Sequence, residues 1–257
     1  MNCIIFGTEN ENSVWNIVMW MDHRAGEEAE FINSTGHKVL QYVGGSISLE
    51  METPKLLWLK KNLPDRYNST RHFFDLGDFL RWKATGSLRR SVCCICCKWT
   101  FVNSPRESSW DASYFKQIGI EDALPKIGST ISFPGDSDQI SIQSATELGL
   151  SRFAKVGFSM IDAHSGVLGM IACHNEGEKL TEASQRLSII CGTSNCHMAL
   201  SKEPLLVPGV WGPYYGVILS NLYLNEGGQS AAGKLLDHVV ISHAAYPGLL
   251  NTLGSHG

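Results

Sequence analysis

The sequence predicts an α/β protein, and three stretches carry that prediction. In the first, Lys155-Val156-Gly157-Phe158-Ser159-Met160-Ile161-Asp162, a short apolar run stops at one carboxylate. The small-residue run from Ala163 to Ala172 follows, so the whole reads as strand, Asp, helix. The second is Leu187 to Cys191, a strand ending in Gly192-Thr193-Ser194. The third is Thr53-Pro54, a helix start with Thr as N-cap and Pro at the first helical position. Leu56, Leu59 and Leu63 follow it at helical spacing, and Pro64 ends the helix.

The remaining elements follow from the same signals. Ser13 to Trp20 reads as a buried strand, delivering Met21-Asp22-His23-Arg24 at its end, and Glu27 to Asn33 as an acid-rich helix. Leu76 to Thr85 is a helix that Asp75 or Asp78 can cap, with Gly86 where a C′ glycine belongs. A third helix is expected over 87–99, a polar loop over 103–113, and a short helix from Tyr114 to Ile118. Pro125, Pro134 and Gly135 mark a long turn-rich connection, and Thr146 to Leu150 a helical turn. The polar stretch from Cys173 to Gln185 is the best boundary or hinge. Pro204, Pro208 and Pro213 keep the next section extended, and Gly227 to His238 opens with glycines and becomes amphipathic.

Composition narrows the function. The chain has 257 residues and 43% hydrophobic content, enough for one large domain or two modest ones. Charged residues are 18% and the net charge is −4. No Lys/Arg run exceeds two residues, so neither a nucleic-acid surface nor a polybasic membrane surface is expected. No apolar run reaches membrane-spanning length. Met1 to Gly7 does not read as a signal peptide, so the eight cysteines are expected as free thiols in a reducing cytoplasm.

Each motif has a functional and a structural reading. Trp20, Asp22, His23 and Arg24 place indole, acid, imidazole and guanidinium together, a set that can hold polyol hydroxyls or be an ordinary turn with an Asp–Arg pair. Asp162 can take a proton from a hydroxyl nucleophile, or cap the helix that follows it. His164 can carry a proton or be structural. Gly192-Thr193-Ser194 and Gly227-Gly228 can bring backbone N–H groups to phosphate, although no GxxxxGK[ST] pattern occurs. An acid followed by such turns points to phosphoryl transfer. Cys93-Cys94-Ile95-Cys96-Cys97 is poorly spaced for one zinc ion, because adjacent cysteines point apart, and reads as a buried thiol-rich helix.

In order along the chain, these stretches resemble the FGGY carbohydrate kinases, and their D-ribulokinase-like members in particular. The matching runs include Trp20-Met21-Asp22-His23-Arg24-Ala25, Pro54-Lys55-Leu56-Leu57-Trp58-Leu59 and Phe73-Phe74-Asp75-Leu76-Gly77-Asp78-Phe79-Leu80. They continue with Cys97-Lys98-Trp99-Thr100, Ile161-Asp162-Ala163-His164-Ser165-Gly166, Cys191-Gly192-Thr193-Ser194 and Asn225-Glu226-Gly227-Gly228-Gln229-Ser230.

The resemblance implies parts of two RNase H-like lobes of the sugar kinase, heat-shock ATPase and actin superfamily, a sugar-binding lobe over 1–186 and the start of an ATP-binding lobe over 187–257. It implies ATP with Mg²⁺ and a pentulose such as D-ribulose as substrates. By it, Asp162 is the general base and meets Mg²⁺ through the nucleotide. Trp20, Asp22, His23, Arg24 and His164 line the sugar pocket, and Gly192, Thr193, Ser194, Gly227 and Gly228 hold the nucleotide. The family's Asp-x-Gly-Thr phosphate loop has no counterpart here, since Phe6-Gly7-Thr8 lacks the acid. The chain is therefore expected to be a central piece of a kinase with weak ATP binding and little turnover, or a non-catalytic sugar-binding remnant.

Overall fold

The structure is a computed structural model that describes residues 3–6, 17–173, 177 and 180–254. Gly7, Thr8 and residues 13–16, which carry two of the sequence expectations, lie outside the described residues. Helices and short strands make up the first two thirds, and a four-stranded antiparallel sheet dominates the last third.

The first strands, Cys3–Phe6, Ile17–Met19 and Phe73–Phe74, form a three-stranded antiparallel sheet with Cys3–Phe6 in the centre. Ile17 and Met19 are exposed, while Val18 packs against the core. The expected buried strand is thus a half-buried one, with alternating faces. The Gly26–Ser34 helix lies close to its predicted span.

The next helix is Glu52–Asn62, capped by Met51 without a side-chain hydrogen bond. The Thr53 hydroxyl does not cap it; it is buried and meets the Tyr114 hydroxyl at 3.0 Å. Pro64 stops this helix and starts another, Pro64–Ser69, as its fixed φ allows at a first helical position. Leu76–Thr85 matches its prediction, with Asp75 accepting from the Gly77 N–H and Gly86 closing it at φ 77°.

The cysteine helix runs from Val92 to Trp99, shorter than expected, because Arg90–Ser91 pairs in parallel with Ile131–Ser132. Ser91 caps it and all eight of its residues are buried. The stretch expected as a loop over 103–113 holds a small ribbon, Val102–Asn103 with Ser108–Ser109, and the start of the Asp111-capped Ala112–Gln117 helix. The expected turn near Thr146 is a full helix, Ile142–Leu148.

The strand before Asp162 departs from expectation. Among the described residues, Lys155–Gly157 pairs only with Ser137–Gln139, in a two-stranded ribbon. Phe158, Met160 and Ile161 pack into the core instead of joining a sheet. Among the described residues, Asp162 therefore follows a ribbon strand rather than a strand of a larger sheet. It opens the Asp162–Ala172 helix as that helix's first residue, after an Ile161 cap.

The four-stranded sheet has the spatial order Leu187–Cys191, Asn195–Ser201, Tyr223–Gln229, Trp211–Tyr215. Gly192-Thr193-Ser194 is the tight turn of its first hairpin, with Cys191 paired to Asn195. Gly227 and Gly228 lie inside a strand, opposite His197 and Cys196, rather than opening a helix. The following helix is Ala232–Ser242. Pro213 occupies the edge strand, where a missing N–H is tolerated. One hydrophobic core joins both parts, with Met198, Leu200, Tyr214 and Leu224 of the sheet packed with Cys96, Cys97, Ile161 and Val167. No helix among the described residues is long and apolar enough to cross a membrane.

Candidate functional site

A cleft of about 540 Å³ opens where the Asp162 helix, the end of the cysteine helix and the four-stranded sheet meet. Trp20, Asp162, Gly192, Thr193, Ser194 and Gly228 line it, so six of the predicted residues share one space. Asp162 is held at the start of its helix, where its Oδ1 accepts the Ala163 N–H at 2.9 Å. An anion there is favoured by the positive end of the helix dipole.

The Gly192-Thr193-Ser194 turn is built from the hairpin itself. The Gly192 N–H donates to the Ser194 carbonyl at 2.8 Å, and the Ala232 N–H donates to the Thr193 carbonyl at 3.0 Å. The Thr193 and Ser194 side chains belong to the cleft wall. Across the mouth, the Ser230 hydroxyl donates to Glu50 Oε1 at 2.9 Å, joining residues far apart in sequence.

Two residues that sequence reasoning missed sit in this wall, Lys98 and Glu226. Lys98 is in the last turn of the cysteine helix and its Nζ lies 4.7 Å from the Trp211 ring centroid, a cation–π distance. Its charge acts on Asp162, Glu226 and Glu52 together. Glu226 Oε2 lies 2.9 Å from His164 Nε2. Burial would raise the Glu226 carboxyl, but the His164 hydrogen bond and charge, with Lys98, hold it down at about 2. The sequence marks neither beyond a charge in an apolar or Gly-containing run, Cys93 to Trp99 for Lys98 and Tyr223 to Gly228 for Glu226.

His164, expected at the sugar pocket, lies apart from this cleft. It is buried, and neither nitrogen faces the cleft. Nδ1 lies 3.1 Å from Cys93 Sγ and 3.7 Å from Cys97 Sγ, while Nε2 meets Glu226. It sits behind Glu226, because the third position of its helix turns inward. Burial lowers its pKa, yet Cys93 and Glu226 outweigh burial and hold the imidazole well above its usual range. Burial raises Cys93 too, but the Cys97 hydrogen bond and the His164 charge pull that thiol down.

Asp22, His23 and Arg24 are not among the residues lining this cleft, and neither is Gly227. Asp22 and Arg24 form a two-pronged pair: Arg24 Nε donates to Asp22 Oδ1 at 2.8 Å, and Nη2 lies 2.7 Å from Oδ2. The guanidinium stacks 5.0 Å from the Trp58 ring centroid.

A second group of buried ionisable residues is Glu52, Lys55, Asp75 and Asp78. Both Glu52 oxygens and Lys55 Nζ have no hydrogen-bond partner among the described residues. Burial raises the Glu52 carboxyl to about 7 against the pull of Lys55 and Lys98, and raises Asp75 to about 8.

Residues 1–169 match the N-terminal domain of the FGGY family of carbohydrate kinases, and residues 187–254 match its C-terminal domain. The chain belongs to the FGGY family of carbohydrate kinases. An FGGY carbohydrate kinase domain-containing protein of Danio rerio is 52% identical over 242 residues, covering 90% of this chain and 44% of that protein. The D-ribulokinase of Saccharomyces cerevisiae is 39% identical over 269 residues, covering 95% of this chain and 38% of that enzyme. The chain thus spans less than half the length of these curated relatives. Among solved structures, a ligand-bound xylulose kinase from Lactobacillus acidophilus superimposes with a TM-score of 0.72 at 18% identity, over 94% of this chain and 46% of that one. That likeness shows the fold, the ATPase-like fold shared by sugar kinases, actin and heat-shock ATPases.

The cleft of this FGGY chain suits a nucleotide and a polyol. Glycines, hydroxyls and a turn flank one side for phosphate oxygens, and an acid, a lysine and a second acid face a common space for hydroxyls. Three carboxylates line the cleft, Glu50, Asp162 and Glu226, and Asp162 is the one at a helix start.

Proposed function

We propose that this chain is the core of an ATP-dependent kinase that phosphorylates a hydroxyl of a pentulose such as D-ribulose. One observation carries the reading: Asp162 shares a cleft with the Gly192-Thr193-Ser194 turn. ATP supplies the transferable γ-phosphoryl group, with Mg²⁺ neutralising its charge. Asp162 takes the proton of the accepting hydroxyl as that oxygen bonds to phosphorus and the bond to ADP breaks. Lys98 and Glu226 hold neighbouring hydroxyls, one as donor and one as acceptor, and Trp20 offers an apolar face at the cleft wall. Thr193, Ser194 and Gly228 hold the nucleotide phosphates, and Asp22 and Arg24 bear on the sugar from outside the cleft wall. The 39% identity to a D-ribulokinase supports a pentulose. The division into a sugar lobe over 1–186 and a nucleotide lobe from 187 belongs to the same reading, as does a cytoplasmic location.

The test is D-ribulose-dependent ADP release with Mg²⁺, with the phosphorylated sugar identified by mass spectrometry. The rate is expected to be low, because no Asp-x-Gly-Thr loop occurs in this sequence. Asp162→Asn should lower it a further ~100-fold or more, the usual worth of a general base. Equal rates in the two proteins would remove Asp162 from the chemistry. D-Ribulose binding by calorimetry with no ADP release would favour a sugar-binding role.

A further inference from the structure

The cysteine helix carries a cluster that the kinase reading does not use. Cys93 and Cys97 are one helical turn apart and share a face, and the Asp162 helix delivers His164 to the same point. The two thiol sulfurs and one imidazole nitrogen all lie within 4.8 Å of one another, and all three residues are buried. Adjacent cysteines do point apart, as the spacing predicts. Cys94 faces the opposite side, toward Gly77, Asp75 and Asp78. The pair that matters is the i, i+4 pair, with a histidine distant in sequence.

We propose that Cys93 Sγ, Cys97 Sγ and His164 Nδ1 form a binding site for a soft divalent cation of the zinc class. The geometry is close to what such an ion needs. Bonds of about 2.3 Å to sulfur and 2.0 Å to nitrogen in a tetrahedron put sulfur and nitrogen about 3.5 Å apart. The two separations here are 3.1 and 3.7 Å, straddling that value. The donor set of two thiolates and an imidazole is one that zinc prefers.

The surroundings are those of a metal ligand. His164 Nε2 meets Glu226 Oε2 at 2.9 Å, the carboxylate–histidine arrangement that fixes a ligand's tautomer and strengthens its other nitrogen. The Tyr214 hydroxyl is fully buried and has no hydrogen-bond partner among the described residues. It lies close enough to feel the charges of Cys97 and Glu226. A fourth ligand carrying lone pairs would give that hydroxyl its missing acceptor. Glu226 also lines the cleft, so it connects the ion to solvent and ties the ion's presence to the cleft wall.

Cobalt reports on this site directly. The full chain, with the exposed Cys173 and Cys191 changed to Ser, is titrated with Co²⁺ under reducing conditions. One Co²⁺ per chain is expected, with thiolate-to-cobalt charge-transfer absorption and the intense visible bands of a tetrahedral ion, all displaced by Zn²⁺. Cys93→Ser and Cys97→Ser should each weaken binding at least tenfold, whereas Cys96→Ser should not change it. X-ray absorption on the zinc-loaded chain with Cys93 and Cys97 intact needs neither of those variants and should find two sulfur scatterers with nitrogen or oxygen completing the shell. Absence of tetrahedral bands, bands that survive Cys93→Ser or Cys97→Ser, or a shell with no sulfur or with four sulfurs would overturn the site.

Discussion

Glu52 shows how far a single carboxyl can be pushed when its oxygens find no donor. Both are buried and unpartnered among the described residues, and burial raises the group from 4.5 to about 7. An acid raised in this way keeps its proton longer in the folded state. Between about pH 4.5 and 7 the folded chain then binds more protons than the unfolded one, so stability falls as pH rises through that window. Glu52→Gln should remove that part of the fall, worth on the order of 3 kcal/mol at most. Urea unfolding at pH 5 and pH 8 measures it; an unchanged gap between the two midpoints would contradict the assignment. Lys98 and Glu226 make the complementary point about legibility. Asp162 and the Gly192–Ser194 turn stand at junctions of apolar and Gly-rich stretches, where one-dimensional pattern marks them. A charge within a buried helix end or a sheet strand shows its purpose only when the cleft brings it beside others. The Cys93–Cys97–His164 group was illegible for the same reason, since its third member lies 67 residues beyond Cys97.

Elements were legible where local chemistry decides them. Asp75 and Gly86 punctuate their helix, and Leu187–Cys191 with its glycine turn follows from strand and turn residues alone. Prediction failed where tertiary contact overrides the local signal. Thr53 leaves its capping role for Tyr114, and Phe158, Met160 and Ile161 give up sheet pairing for core packing. The edge strand Trp211–Tyr215 depends on one position in particular. Gly212 has φ 102°, and a Cβ there would stand 2.3 Å from the Leu224 carbonyl oxygen, a backbone atom that cannot step aside. Gly212→Ala should cost on the order of 3 kcal/mol, from backbone conformation and collision together. Thermal unfolding measures the loss, and Gly233→Ala, in open space on an exposed helix, serves as the comparison in which no loss and a small gain are expected.

At the scale of the molecule, the proposed division near residue 186 does not divide the core. Met198, Leu200, Tyr214 and Leu224 pack with residues from the Asp162 and cysteine helices, and the His164–Glu226 contact crosses at the same level. Asn103 adds a tie by donating to the Tyr215 carbonyl at 2.8 Å. Heat should therefore unfold both parts together, in a single calorimetric transition. Two resolved transitions would show that the shared core contributes little to cooperation between them.

The Ala232–Ser242 helix has 11 residues and buries none of them. A helix of that length has little stability of its own in water. Its first residue is bonded to the Thr193 carbonyl, and Ser230 lies just before it on the cleft rim. Helices of this kind wind and unwind within about a microsecond, whereas kinase turnover takes about 10 milliseconds to a second. During any one catalytic event the rim would pass through its winding equilibrium thousands of times. A bound phosphate would meet the time-average of that rim, and its grip would be set by how much of the time the helix is wound.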